Sequence, residues 1–144
     1  MRGFVRFLQL SSIIMAVLTV AACTAAVSKE TGQWTPTPIT DLKSVAGRWE
    51  GLMIRTPRSP TDDWVRLVVR EGGTYEFASY RTIGVFSGKG TFILADGRLS
   101  AQSERGKMTL QLYTDAVSGA RMLKAEALTS NRIEYSADLR RTGD

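Results

Sequence analysis

The sequence predicts an all-β domain, an antiparallel meander that curls over its own core as a small up-and-down barrel or half-barrel, with a two-sheet sandwich as the alternative. Apolar side chains recur at period two: Val65, Leu67 and Val69; Tyr75 and Phe77; Met108, Leu110 and Leu112; Ile133, Tyr135, Ala137 and Leu139. Such alternation marks strands with one apolar and one wet face. Turn signals separate the runs at short intervals, among them Glu71-Gly72-Gly73, Ser87-Gly88, Ala95-Asp96-Gly97, Glu104-Arg105-Gly106, Val117-Ser118-Gly119 and Ser130-Asn131. One-sided strands with short links favour closure of the sheet on itself.

Residues 1–22 have the order of a secretory signal: Arg2 and Arg6 near the start, no acid, an apolar run over 7–20, then small residues. The run contains Gln9, Ser11, Ser12 and Thr19. It falls short of the roughly 20 apolar residues that a membrane span needs, which makes a permanent transmembrane helix the weaker reading. Val20-Ala21-Ala22-Cys23 resembles the lipobox of bacterial lipoproteins residue for residue, and Cys23 is the sole cysteine. The bland alternative is a generic signal peptide in which Cys23 is just another small residue. The resemblance implies cleavage before Cys23, a thioether from its sulfur to a diacylglycerol, and firm anchoring by two or more acyl chains, since a single chain holds a membrane only marginally. Thr24 stands where lipoproteins kept in an inner membrane often carry Asp. The implied location is extracytoplasmic, on the outer membrane where the cell has one.

Residues 23–40 read as a flexible tether, rich in Thr, Ala, Ser and Gly and ending in Thr35-Pro36-Thr37-Pro38. Trp34 is its exception, a residue suited to docking on the domain or to the lipid interface. The domain proper spans 41–144. A short helical turn over 40–46, capped by Thr40 or Asp41 and stopped by Gly47, opens it. Strands are then expected near 46–54, 63–70, 73–80, 82–86, 89–94, 97–103, 106–114, 119–127 and 131–140. The longest irregular link, 56–62 with Pro57 and Pro60, is the natural lid or crossover.

Removal of residues 1–22 leaves 122 of 144 residues, one domain's worth, and lowers the net charge from +5 to +3 by loss of Arg2 and Arg6. The remaining charge is spread along the chain, and no basic run interleaved with aromatics occurs, so nucleic acid is not an expected partner. With Cys23 acylated no thiol remains for a disulfide. The chain has no histidine. That removes the commonest general base, the commonest transition-metal ligand and the Ser-His-Asp and Cys-His arrangements together.

Gly47-Arg48-Trp49, at the start of the first strand and just after a short helical turn, resembles the Gly-x-Trp of lipocalins and lipocalin-like barrels. That resemblance implies that Trp49 sits at the closed end of a barrel under an arginine of the last strand, Arg140 or Arg141, through a cation–π contact. The chain lacks the other lipocalin motifs and the long helix before the final strand. The plain alternative is a large core tryptophan beside a glycine turn.

Other motifs are weaker. Ser87-Gly88-Lys89-Gly90 has the composition of a phosphate loop without its spacing or following helix, and reads as a hairpin. Asp62-Asp63 reads as a solvated turn rather than a calcium site. Glu76, Glu126 and Glu134 face away from the core by alternation, and nothing positions Lys107 or Lys124 as a base. No catalytic residue, cofactor or metal ligand is assigned. Two functions from different classes remain. In one, the barrel is an anchored interaction module for another envelope protein, with Trp64, Tyr80 and Tyr113 as contact candidates. In the other it is a carrier or sensor of a small hydrophobic ligand, with Ala101, Ala125, Ala127 and Ala137 leaving the room. A cavity of roughly 300 Å³ or more favours the carrier.

Overall fold

A computed structural model describes residues 32–57, 63–80 and 85–143. Cys23, the signal peptide and the first half of the tether lie outside these residues, as does most of the link 56–62. Contacts group residues Thr31–Asp144 as one compact unit. Its elements are β1 (Trp34–Thr37), a 3₁₀ turn (Lys43–Val45), β2 (Gly47–Thr56), β3 (Asp63–Val69), β4 (Thr74–Tyr80), β5 (Val85–Thr91), β6 (Ile93–Ala95), β7 (Arg98–Ser103), β8 (Gly106–Asp115), β9 (Arg121–Thr129) and β10 (Glu134–Arg141).

The strands form one antiparallel sheet in the order β5-β4-β3-β2-β10-β9-β8-β7-β6. Because the first long strand pairs with the last, along Trp49↔Arg141 to Thr56↔Glu134, the meander bends round into a nearly closed barrel. The sandwich alternative is set aside by this single continuous sheet. The ring is interrupted between β5 and β7. Phe92 alone separates β5 from β6, so these two strands act as one bent strand: β5 bonds to β4, then β6 turns away to bond to β7. The Phe92 amide holds the bend by donating to the Gly73 carbonyl at 2.8 Å.

Two expectations are corrected. The segments 82–86 and 89–94 are not a hairpin around Ser87-Gly88; the glycines lie within β5, paired with Phe77 and nearby residues of β4. The reason is that Phe77 and Tyr75 lie over Gly88 and Gly90, so neighbouring rings supply the cover that the glycines lack. The tether also ends earlier than its composition implies. Thr35-Pro36-Thr37 belongs to β1, which pairs with β8 from Trp34↔Asp115 to Thr37↔Leu112, and Ile39 is 3% exposed in the core. Proline is tolerated there because β1 is a short strand bonded to β8 alone.

The turn before β2 forms much as expected. Asp41 Oδ1 accepts the Ser44 amide at 2.7 Å, and Gly47, at φ +128, turns the chain into β2 in a conformation that side chains resist. The turn Asp96-Gly97 joins β6 to β7 with both residues at positive φ, 52 and 70, as a two-residue hairpin with strand-matched twist demands.

Candidate functional site

The barrel has two unlike ends. At one end converge the 3₁₀ turn, the β3–β4, β6–β7 and β8–β9 turns and the outer ends of β2 and β10. At the other lie the β7–β8 and β9–β10 turns, with the end of β4 and the start of β5. Inward residues, read across the registers, form three rows. Leu112, Leu123 and Leu139 make the row toward the first end. Leu99, Leu110, Ala125 and Ala137 make the next. Ala101, Met108, Ala127 and Tyr135 make the last.

Leucine thus steps down to alanine on three of the strands, while Met108 on β8 and Tyr135 on β10 keep large side chains in the last row. Leu99 gives way to Ala101 on β7, Leu123 to Ala125 and Ala127 on β9, and Leu139 to Ala137 on β10. At the first end Trp49, Val69, Leu99, Leu110, Leu112, Leu123 and Leu139 are at most 2% exposed and fill the interior. Toward the second end a cavity of about 640 Å³ opens among the alanines, Met53, Phe77, Met108 and Tyr135. This exceeds the volume that favours a carrier, and it lies in the range of small-molecule sites, roughly 300–1,000 Å³.

β5 supplies the cavity's most open wall. Its inward positions 88 and 90 carry no side chain, and a Cβ at Gly90 would stand 2.8 Å from the Tyr75 hydroxyl. Tyr75 in turn stacks on Phe92, ring centres 4.2 Å apart, and burial pushes its phenol above the ordinary tyrosine range. Residues Gly88–Thr91 face Gln102–Lys107 across the cavity without a ladder between them. This unpaired stretch is the natural mouth.

The structure buries Trp49 in the core and places Arg140 away from it. Trp49 is fully buried and its Nε1 donates to the Val45 carbonyl at 2.9 Å. Arg140 points outward, opposite Glu50, and stacks on Trp34 with its guanidinium carbon 4.1 Å from the ring centre. Alternation explains this: Leu139 faces in, so Arg140 faces out. Arg141 is the residue at the closed end, paired with Trp49 and donating from Nη2 to the Ala46 carbonyl at 2.9 Å, with its guanidinium against Gly47.

Trp64 and Tyr80 are direct cross-strand neighbours, and Leu52 extends their row to β2. The three are 51% (Leu52), 44% (Trp64) and 40% (Tyr80) exposed. Tyr113 does not join them; it lies half-buried on β8 between Pro36 and Met122. Glu76, Glu126 and Glu134 are exposed on the outer wall, with Glu76 paired to Arg70 at 2.9 Å. Among the described residues, no three acids, cysteines or histidines gather as metal ligands. The cavity signal missing from the sequence reading is the repeated step from leucine to alanine on three strands, together with paired glycines inside a strand.

No family profile matches the chain, and no curated protein matches it. Among solved structures the chain is similar to a redesigned β-barrel, at 16% identity and a TM-score of 0.47, over 73% of this chain and 97% of that one.

Proposed function

We propose that this protein is a lipid-anchored envelope protein whose barrel binds a small hydrophobic ligand, as a carrier or sensor. The observation that carries the ligand reading is the apolar cavity of about 640 Å³. An open hollow of that size leaves alanine, methionine and aromatic carbons facing water, and an apolar occupant would cover them. The anchor rests on Val20-Ala21-Ala22-Cys23, which would hold the barrel beside a membrane where such ligands dissolve. From Cys23 to Trp34 the chain can span at most roughly 40 Å at ~3.5 Å per residue.

Native mass spectra of the full chain, extracted gently from its parent envelope, test the ligand reading. A co-purifying apolar molecule is expected. An apo mass, combined with no uptake of the neutral fluorophore N-phenyl-1-naphthylamine, rules the carrier out. For the anchor, Cys23→Ser should abolish lipid attachment and release the protein from membranes; unchanged attachment refutes the lipobox.

The row Leu52-Trp64-Tyr80 favours a second reading, an interaction module for another envelope protein. Exposed aromatics flanked by aliphatics often anchor interfaces. Loss of a crosslinked partner on Trp64→Ala, with ligand uptake unchanged, is the outcome this reading requires.

A further inference from the structure

We propose that the exposed apolar patch on β2, β3 and β4 is a seat for the bilayer: Leu52, Ile54, Trp64 and Tyr80 rest in the lipid–water interface of the membrane that holds the chain and bring the open end of the barrel to it. This rests on the reading of Cys23 as a lipid anchor and adds the face of the domain that meets lipid.

Alternation sends Leu52 and Ile54 outward on β2, on either side of the inward Met53. The register then sets Leu52 beside Trp64 and Trp64 beside Tyr80. All four side chains are at least 40% exposed, and they stand toward the end of the barrel where the cavity opens. The same row reaches β5 at Val85, on the strand whose free edge forms the mouth. Among the described residues, the other large exposed apolar side chains, Ile93, Val117 and Leu128, stand singly on β6, the β8–β9 turn and β9. A contiguous apolar patch marks a contact in a way that scattered residues do not.

The chemistry of the patch suits a bilayer. Tryptophan and tyrosine join an apolar body to a polar tip, the combination that settles at the lipid–water interface. Arg66, with its guanidinium carbon 5.4 Å from the Tyr80 ring centre, is neutralised by Glu50 at 2.7 Å, so this border of the patch brings no net charge. A stable protein interface of standard size takes roughly 20–30 residues a side, far more than four. A bilayer asks for less when the chain's own acyl groups already hold it close, because tethering turns a weak contact into an intramolecular one.

The anchor can reach. Trp34 lies opposite Asp115, at the far end of β8 from Gly106. The ten residues of β8 span about 33 Å at ~3.3 Å each, which bounds the height of Trp34 above a surface touching the open end. The roughly 40 Å available between Cys23 and Trp34 covers that height.

Tryptophan emission tests the seat, with the protein purified together with its lipid and placed in phosphatidylcholine vesicles whose acyl chains carry bromine. Trp49 is fully buried and Trp34 is stacked on Arg140 at the other end, so quenching should come from Trp64. It should disappear in Trp64→Phe, which keeps a ring in the patch, and fall roughly threefold or more in Leu52→Glu, which sets a charge beside Trp64. In about 1 M salt, where the screening length is ~3 Å, it should persist. Both variants should still float with the vesicles and keep the parent's urea midpoint, since they change the surface alone. Quenching that is absent, that survives Trp64→Phe, that ignores Leu52→Glu or that is lost in salt overturns the seat while the anchor stands. Absent quenching together with a crosslink from position 64 to an envelope protein assigns the patch to that partner instead. A protein that carries no lipid and does not float overturns the anchor reading and this inference with it.

Discussion

At Ser79 a hydroxyl is fully buried on β4, and among the described residues its Oγ has no hydrogen-bond partner. An unsatisfied buried hydroxyl costs about 1–3 kcal/mol, so Ser79→Ala should raise stability by roughly 1 kcal/mol in urea unfolding. Asp115 has the opposite character. Its carboxylate accepts the Val117 amide at 3.0 Å and the Ser118 hydroxyl at 2.9 Å, and these bonds, the Val117 amide first, hold it below the ordinary value of 3.8. A depressed carboxylate stabilises the fold at pH above its unfolded value and loses that contribution as pH falls through its folded one. Urea midpoints measured from pH 5 downward should therefore decline less steeply below about 3.8 in Asp115→Asn than in the parent chain. The turn signal Val117-Ser118-Gly119 was legible in the sequence, but the carboxylate that organises it belongs to β8 and declares itself only through its bonds.

The strands show why period two was easy to read and the ends of the sheet were not. Each long run keeps its apolar face inward, as Val65, Leu67 and Val69 do at 6%, 2% and 2% exposure. β1 has no such pattern. Its place comes from pairing with the part of β8 beyond Leu110 that β7 leaves free, and from Trp34 meeting Arg140. Across β10, β9, β8 and β1 the outward residues Arg140, Met122, Tyr113 and Pro36 lie in one row. Met122, though outward, is 7% exposed and stands outside the core cluster, as expected of a side chain beneath the Trp34–Arg140 pair. Trp34→Ala should lower stability by about 2 kcal/mol. A double-mutant cycle with Arg140→Ala should give a coupling near 1 kcal/mol; a coupling of zero would remove Trp34 from the fold's energetics.

For the whole barrel, the half filled by leucines supplies rigidity and the half lined by alanines supplies room. The two halves should respond oppositely to mutation. Leu112→Ala opens a new void in the filled half and is expected to cost about 2–5 kcal/mol. Ala127→Phe instead adds a ring to space already empty, so thermal stability should hold or rise while uptake of dodecan-1-ol is lost. Calorimetry and titration on the same two variants check both. If Ala127→Phe unfolds the protein, the cavity wall is too tightly packed to admit a ligand.

By itself the sequence determined most of the strands, their inward faces and most of the glycine turns, because alternation and turn chemistry are local and act wherever the chain lies. The alanines were visible too, but not that they would meet. Rows form only when register sets Ala125 against Ala137, and Ala101 and Ala127 on either side of Met108. Which arginine closes the barrel, whether Gly88 and Gly90 bend a hairpin or lie within a strand, and where the sheet stays open were likewise decided by tertiary structure. Each depends on what a neighbouring strand places against the residue: Phe77 and Tyr75 over the glycines, Trp34 against Arg140, and, at the mouth, no ladder between β5 and β7.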